Sequence, residues 1–487
     1  MSTRLPRSGS LCARLQPKQQ LPSQPVEPQV HLDPESKTTA GAGNGEPVSS
    51  AGDPPHCENG GVQMESVADV PLPDEPSPAE DGAGQREPRF PAFRHRNYRL
   101  FWTGNLISLI GTMAQQTAQG WLMRDVLTHD PFIITAVAAC GTAPILLLTL
   151  PAGVLADRVD KRRTLMMTNS ASAILALLLA TIVYFGITQV WHVALITLGV
   201  GIVNAFDIPV RQSFNVEMVG RNDLPNAIAF NSSAFNGARV AGPMVGGFLL
   251  HAVGMAGCFF INALSFAALI AGLMLMRLQP VKTPGQPMRL LDLLEGYRFV
   301  RTHETLWLVT VLVAWVSLFA MSFGALLPVF AKDIFLTDER GFSLLMTCNG
   351  TGALGAAVTL AIAGKMRHKG KRLLLGAVMF CLCLLAFASS TSLYLGCVWL
   401  IGAGWCLLTF LMTANTMVQT NSPDHLRGRV FSLYSMALIG TSPLGMVFIG
   451  ALARMWNPRA AVQTGASIAA LFVVYVFLKH RALWKEK

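Results

Sequence analysis

From Phe93 to the C-terminal region, long apolar runs alternate with short polar stretches, and the runs repeatedly approach 20 residues. A helix needs about 20 mainly apolar residues to cross a hydrocarbon core. The pattern predicts twelve membrane-spanning helices, at 98–123, 132–155, 164–186, 191–211, 224–251, 255–276, 305–331, 341–364, 373–389, 392–416, 425–452 and 460–479. The first, fifth, tenth and eleventh are the most polar, which favours a solvated interior over a passive anchor. The expected fold class is therefore an all-α integral membrane protein.

The first 90 residues are different material. They are rich in Pro, Ser, Gly and Glu and poor in aromatics, as in Leu72-Pro-Asp-Glu-Pro-Ser-Pro. Such a composition buries too little apolar surface to offset the entropy of ordering, so 1–90 reads as a disordered tail. No secretory apolar core is present in it. Between the sixth and seventh spans, 281–304 reads as a linker. Its segment Leu290-Leu-Asp-Leu-Leu-Glu-Gly-Tyr-Arg-Phe-Val fits an amphipathic helix lying at the interface, and a plain linker fits almost as well. The domain reading is thus a tail at 1–90, six helices at 91–280, the linker at 281–304 and six more helices at 305–487.

Loop charge sets the expected orientation. Arg158, Lys161, Arg162 and Arg163 follow the second span, Arg211 and Arg221 the fourth, and Lys365, Arg367, Lys369, Lys371 and Arg372 the eighth. The alternate loops are nearly free of Lys and Arg, with Lys332, Arg340, Arg454 and Arg459 the main exceptions. The positive-inside rule places both termini and the linker in the cytoplasm.

Composition narrows the class further. Of 487 residues, 52% are hydrophobic and 14% charged, well below the quarter usual in soluble domains. The net charge of +10 sits in short loops between apolar runs, which argues against a nucleic-acid partner. No Gly-rich phosphate loop or zinc-ligand spacing occurs, so no cofactor, metal or ATP drive is expected. The nine cysteines are scattered, mostly within apolar runs, and give no disulfide framework.

One stretch concentrates unusual features. In Asn236-Gly-Ala-Arg-Val-Ala-Gly-Pro-Met-Val-Gly-Gly-Phe-Leu-Leu250, Gly242-Pro243 would break a soluble helix, yet both flanks stay apolar. Gly246 and Gly247 strip side chains from one surface, so a second helix can approach closely. Arg239 places a permanent charge about 22 Å from the start of the span at 1.5 Å per residue. A charge at that depth must face a cavity or a partner, and no acidic partner is evident in the sequence.

Polar stripes at helical spacing point to a cavity. Asn105, Ser108, Thr112, Gln115 and Gln119 share one face of the first span; Thr409, Thr413 and Thr416 do so in the tenth. Asn231, Phe235 and Arg239 stand four apart in the fifth, and Trp315 and Phe319 give the seventh an aromatic face. For the threonines, hydrogen bonding across packed helices is an equal alternative. The long amides of the first span are harder to satisfy without water. Asp207, near the cytoplasmic end of the fourth span, could pair with Lys161 or Arg158.

The two halves echo each other. Leu224-Pro-Asn-Ala-Ile-Ala-Phe corresponds to Leu426-Arg-Gly-Arg-Val-Phe-Ser, and Ala241-Gly-Pro243 to Thr441-Ser-Pro443. Two six-span repeats with a site between them are the plan of major facilitator transporters. The chain from about 93 to 482 resembles that superfamily, most of all the branch of the enterobactin exporter, with macrolide-efflux relatives nearby. Gly153-Val-Leu-Ala-Asp157-Arg158-Val-Asp160-Lys161-Arg162 resembles the superfamily's loop motif, with Asp160 where a second glycine is usual. Ala238-Arg-Val-Ala-Gly242-Pro243-Met-Val-Gly246-Gly247 resembles the antiporter motif of exporters. Asn204-Ala-Phe-Asp207-Ile-Pro-Val-Arg211-Gln resembles the same branch.

The resemblance implies a cavity lined by spans one, four, seven and ten, and a latch in which Asp157 caps span eleven, with Gly153, Arg158, Lys161 and Asp207 around it. It also implies a monomeric exporter, not an enzyme, in a bacterial inner membrane, surrounded by lipid and moving a small amphipathic solute in exchange for protons. A siderophore is the first expectation. Macrolide or multidrug efflux and lysophospholipid transport are the alternatives, and a non-transporting receptor or scaffold is the reading from another class.

Overall fold

A backbone in lipid must satisfy its hydrogen bonds internally, and this one does so with helices. The computed structural model describes residues 91–156, 159–277, 290–363, 368–423 and 426–480. A short 3-10 turn at Pro91–Arg94 leads into α1 (Arg96–Leu122), followed by α2 (Pro131–Ala156) and α3 (Lys161–Tyr184). Helix α4 (Val190–Gly220) and the segment Asn222–Met274 then form one almost continuous rod. That rod turns at Gly220 and Gly254, both at φ 72°, and thereby separates α4, α5 (222–253) and α6 (255–274). This left-handed backbone costs a residue without Cβ little.

A further helix, α7 (Leu290–Thr302), lies within the expected linker. Its Gly296 rests against Arg429. Then come α8 (Glu304–Ile334), α9 (Glu339–Ala363), α10 (Lys369–Ser389), α11 (Leu393–Thr420), α12 (Arg427–Met455) and α13 (Pro458–Lys479). Helix α8 tightens to 3-10 geometry at Met321–Leu326, and α12 is interrupted at Thr441.

Twelve of these helices correspond to the twelve predicted runs. Ten described segments are long and apolar enough to cross a membrane. In that reckoning α5 and α6 form one segment, because the chain stays helical through Gly254. Helix α1 falls short because of its polar stripe. Large apolar side chains on the outside of the helices are bare: Leu147, Met167, Ile174, Phe248, Ile362 and Leu471 are 65–80% exposed, as lipid contact requires. The largest departure from the sequence reading is at α4. It runs to Gly220 rather than ending near 211, so Arg211 lies inside a helix and not in a loop.

Glycines set the closest approaches. Gly242 and Gly246 of α5 pack on α1, at Met113 and Ala114, while Gly247 packs on Ser343 of α9. The Ser343 hydroxyl donates to the Pro243 carbonyl at 2.5 Å. The expected close helix approach at this stretch is therefore present, and α5 stays helical through Pro243. Gly350 of α9 backs directly onto the carbonyl of Arg239. A Cβ there would strike main chain, which cannot swing aside. Gly350→Val is expected to lower the stability of the purified protein by about 1–3 kcal/mol, the range for overpacking. Thermal unfolding in detergent checks this; an unchanged midpoint would show that α5 and α9 separate there at no cost.

Candidate substrate site

Arg239 sits about 25 Å along α5 from Asn222 at 1.5 Å per residue, in a helix that spans a core about 30 Å thick. Its side chain is half-buried, and among the described residues no acceptor stands within hydrogen-bonding reach of the guanidinium. A guanidinium carries five donors and stays charged. Left without a partner in a low-dielectric place, it is costly, and this is the signature of a functional position.

The helix faces around it are polar and incompletely satisfied. Asn236, Val240, Pro243 and Gly247 recur at spacings of four, three and four. They form the side of α5 that meets α9, as the Ser343 and Gly350 contacts show. Asn236 is 6% exposed; its amide donates to the Ser232 carbonyl at 2.9 Å, while its Oδ1 has no partner among the described residues. On α9, Thr347 lies between Ser343 and Gly350 on the facing side. Its hydroxyl and the Asn349 amide nitrogen are also buried and unpartnered. Buried polar groups are hydrogen-bonded in the great majority of cases, so this local concentration is unusual. Phe235, one turn below Arg239, is 46% exposed and adds an aromatic surface beside the charge.

The α1 stripe is differently placed than expected. Gln115 accepts from the Asn262 amide of α6 at 2.6 Å, and the Gln119 amide donates to the Thr197 hydroxyl of α4 at 2.8 Å. Asn105 accepts from Arg211. These amides are satisfied by neighbouring helices of α1–α6, so water is not required. Thr112 is half-buried on the same face. In α11, Thr409, Thr413 and Thr416 return their hydroxyls to carbonyls one turn back on their own helix, at 2.7–2.9 Å. Trp315 stacks on Phe472 with ring centroids 4.6 Å apart, and Phe319 meets Phe448 at 5.2 Å, so this aromatic face packs α8 against α12 and α13. Asn231 accepts from the Tyr98 hydroxyl at 3.3 Å.

Of its two expected partners, Asp207 does not pair with Lys161, and Arg158 lies outside the described residues. Asp207 is 7% exposed and binds Arg211, one turn along α4, through Nε at 2.8 Å and a second nitrogen at 2.6 Å. Thr168 and Asn169 of α3 donate to its other oxygen at 2.6 and 3.3 Å. The Arg211 guanidinium also lies 5.8 Å from the Phe101 ring centre. The result is a closed polar network tying α1, α3 and α4. Lys161 pairs with Glu217 instead. The physical reason is the extra length of α4: about two and a half further turns bring Arg211 and Glu217 onto the bundle. Asp157 and Arg158 lie outside the described residues, and Gly153 falls within α2.

Opposite the basic loops, at the distal end, α1–α6 and α8–α13 are joined by ion pairs the sequence did not suggest. Arg124 binds Asp333, Lys332 binds Asp125 at 2.7 Å, and Arg454 binds Asp130 at 3.4 Å. Trp121 stacks on Phe342 beside them, centroids 6.0 Å apart. The available signal was that Lys332 and Arg454 occupy loops from which basic residues are otherwise depleted.

Comparison with known proteins agrees with this architecture. Residues 88–486 match the family described as Transmembrane secretion effector. The chain is 24% identical over 391 residues to the staphyloferrin A transporter of Staphylococcus aureus, covering 79% of this chain and 96% of that one. It is 28% identical over 373 residues to the multidrug efflux pump Tap of Mycolicibacterium fortuitum (74% and 90%). It is also 25% identical over 394 residues to the enterobactin exporter EntS of Shigella boydii (80% and 91%). Among solved structures, the nucleoside transporter NupG aligns with a TM-score of 0.62 at 16% identity, over 80% of this chain and 99% of that one. A POT family transporter in complex with a thioalcohol-conjugated peptide aligns at 0.64 and 10%, over 80% and 96%. These structural likenesses establish the shared fold. The protein is a multi-pass membrane transporter and not an enzyme: it belongs to the transmembrane secretion effector family, with the major facilitator fold.

Proposed function

We propose that this protein exports a small, anionic, amphipathic organic solute, first of all a siderophore, across a bacterial inner membrane by proton-coupled alternating access. Both termini and α7 face the cytoplasm in this reading, as the basic loops favour, and the distal end faces outward. The observation that carries it is Arg239: a fixed cation at mid-span, unpartnered among the described residues, with unpaired polar atoms of α5 and α9 around it. An anionic chelator would supply the missing acceptors, and Phe235 would take its aromatic or apolar part. The stated substrates of two relatives, staphyloferrin A and enterobactin, support the choice.

A second reading is multidrug efflux, favoured by the 28% identity to Tap. The exposed Phe235 face suits an apolar drug as well as an aromatic chelator.

The test is untargeted mass spectrometry of medium and cells, with and without the gene, under iron starvation. A metal chelator should fall in the medium and accumulate in cells when the gene is deleted. An unchanged chelator profile, together with raised susceptibility to amphipathic antibiotics, would overturn the siderophore reading in favour of drug efflux.

A further inference from the structure

At the end of the bundle that carries the basic loops, the start of α1 meets the end of α4 and the chain just past α6. A cleft of about 420 Å³ opens there, lined by His95, Arg96, Asn97, Met218 and Arg277. That volume falls within the range of small-ligand sites, about 300–1,000 Å³. Its walls are held by specific bonds. The Asn97 side chain clasps the main chain of Arg277 twice: its amide donates to the Arg277 carbonyl at 2.8 Å, and its carbonyl accepts from the Arg277 amide at 3.3 Å. Arg162 of α3 donates to the Leu273 and Met274 carbonyls at 2.8 and 2.9 Å, which fixes the end of α6. His95 is tied to Asp223, at the start of α5, at 2.8 Å.

Among the described residues, the two arginines of this wall lack a counter-charge. Arg96 makes one contact, to the Leu275 carbonyl at 3.3 Å, and the Arg277 guanidinium meets no acceptor. The nearby carboxylate of Asp223 is already engaged by His95. The first turn of α1 contains no acidic residue, and no side chain caps its amides. Two like charges lining one cleft repel, and an anion between them turns that repulsion into two attractions. A guanidinium meets a phosphate through a planar fork of donors, so two of them can hold one phosphate from two sides. The cleft also has an apolar side. Met218 is buried in its wall, and beside it Met274 and Leu275 are 63% and 59% exposed, bare apolar surface at the level where α6 leaves the hydrocarbon.

We propose that this cleft binds a phosphate ester, with Arg96 and Arg277 sharing its oxygens and Met274 and Leu275 taking an attached apolar chain. An anionic glycerophospholipid of the adjoining leaflet has both parts; a soluble phosphate ester supplies the first alone. Once bound, the phosphate joins the start of α1 to the end of α6 through two cations that could not otherwise sit together. Arg239 stands about 25 Å further along α5 from Asn222. The cleft is therefore a second site, separate from the candidate cargo site and independent of which solute is carried and in which direction.

The test uses the delipidated full-length chain in detergent. Native mass spectrometry counts bound phosphatidylglycerol, with phosphatidylcholine as the zwitterionic comparison and glycerol 3-phosphate as the ester without an apolar chain. The parent should bind phosphatidylglycerol at a saturable site and phosphatidylcholine far more weakly. Arg96→Gln with Arg277→Gln should weaken phosphatidylglycerol binding about tenfold or more, as the loss of two cations beside a headgroup implies. Arg96→Lys with Arg277→Lys keeps the charge and the fold but loses the planar fork, so its affinity should fall between the two. Arg298→Gln, which removes an exposed cation of α7 outside the cleft, should bind as the parent does. Glycerol 3-phosphate binding as tightly as phosphatidylglycerol, and lost in the same double variants, would identify the ligand as a soluble ester. Parent-like affinity in either double variant overturns the inference. An equal loss in Arg298→Gln also overturns it, because the attraction would then be diffuse surface charge and not the cleft.

Discussion

Export by the Arg239→Ala protein is expected to fall about a hundredfold, while the amount inserted in the membrane stays unchanged. Truncating one partner of a buried charge contact costs about 2–5 kcal/mol, and 1.4 kcal/mol is a factor of ten. The loss should appear in export and not in folding, because Arg239 makes no described contact whose removal would orphan a neighbour. In fact the substitution removes a desolvated charge, so the variant should be at least as stable as the parent. Arg239→Lys should fall between the two, since it retains the charge but loses the planar fork that grips two oxygens at once. The measurement is solute efflux from loaded cells, normalised to membrane content. Full efflux by the alanine variant would remove Arg239 from solute recognition and, with it, the main physical support for an anionic cargo.

The second large effect is expected at the opposite pole of the same half, and in stability instead of transport. Arg211→Ala should destabilise the protein by about 3–5 kcal/mol, the usual consequence of leaving a buried carboxylate uncompensated. Asp207 would keep Thr168 and Asn169 but lose its only cation among the described residues. Neutralising both partners, Asp207→Asn with Arg211→Gln, should recover much of the loss, because no buried charge then remains. Thermal unfolding of purified protein, followed by tryptophan fluorescence, compares the three. Equal stability of Arg211→Ala and the parent would mean that water reaches Asp207 and that the network is not closed.

How far the sequence could be read depended on whether the signal was local. The twelve runs and the helix in the linker are local matters of apolar period; the structure has a helix at each run, and ten described segments are long and apolar enough to cross a membrane. The close approach at Gly242, Gly246 and Gly247 was legible for the same reason, since a missing side chain announces a contact whatever lies on the other side. Partner identity was not legible. Arg211 reads as a loop charge because basic residues near a membrane end usually are; only the continued helix to Gly220 turns it inward. Gln115 and Gln119 read as cavity groups because their partners, Asn262 and Thr197, lie far along the chain. Arg124 and Asp333 carry no local sign of each other, because they lie 209 residues apart along the chain. Thr347 and Asn349 on α9 were passed over because two polar residues in an apolar run are ordinary until their lack of partners is seen.

The dependence of α1 on remote partners has a consequence in time. Its three amides are met by Arg211, Thr197 and Asn262, which are 106, 78 and 147 residues away in sequence. A ribosome adds about 5–20 residues per second, so the partner of Gln115 emerges roughly 7–30 s after Gln115 itself. During that interval the first helix leaves the ribosome with its hydrogen-bonding groups unmet and with too little apolar surface to settle in lipid by itself. It must therefore wait within the insertion machinery, or at the water interface, until the fourth and sixth helices arrive. Biogenesis of this half is thus a delayed, cooperative event rather than a helix-by-helix deposition.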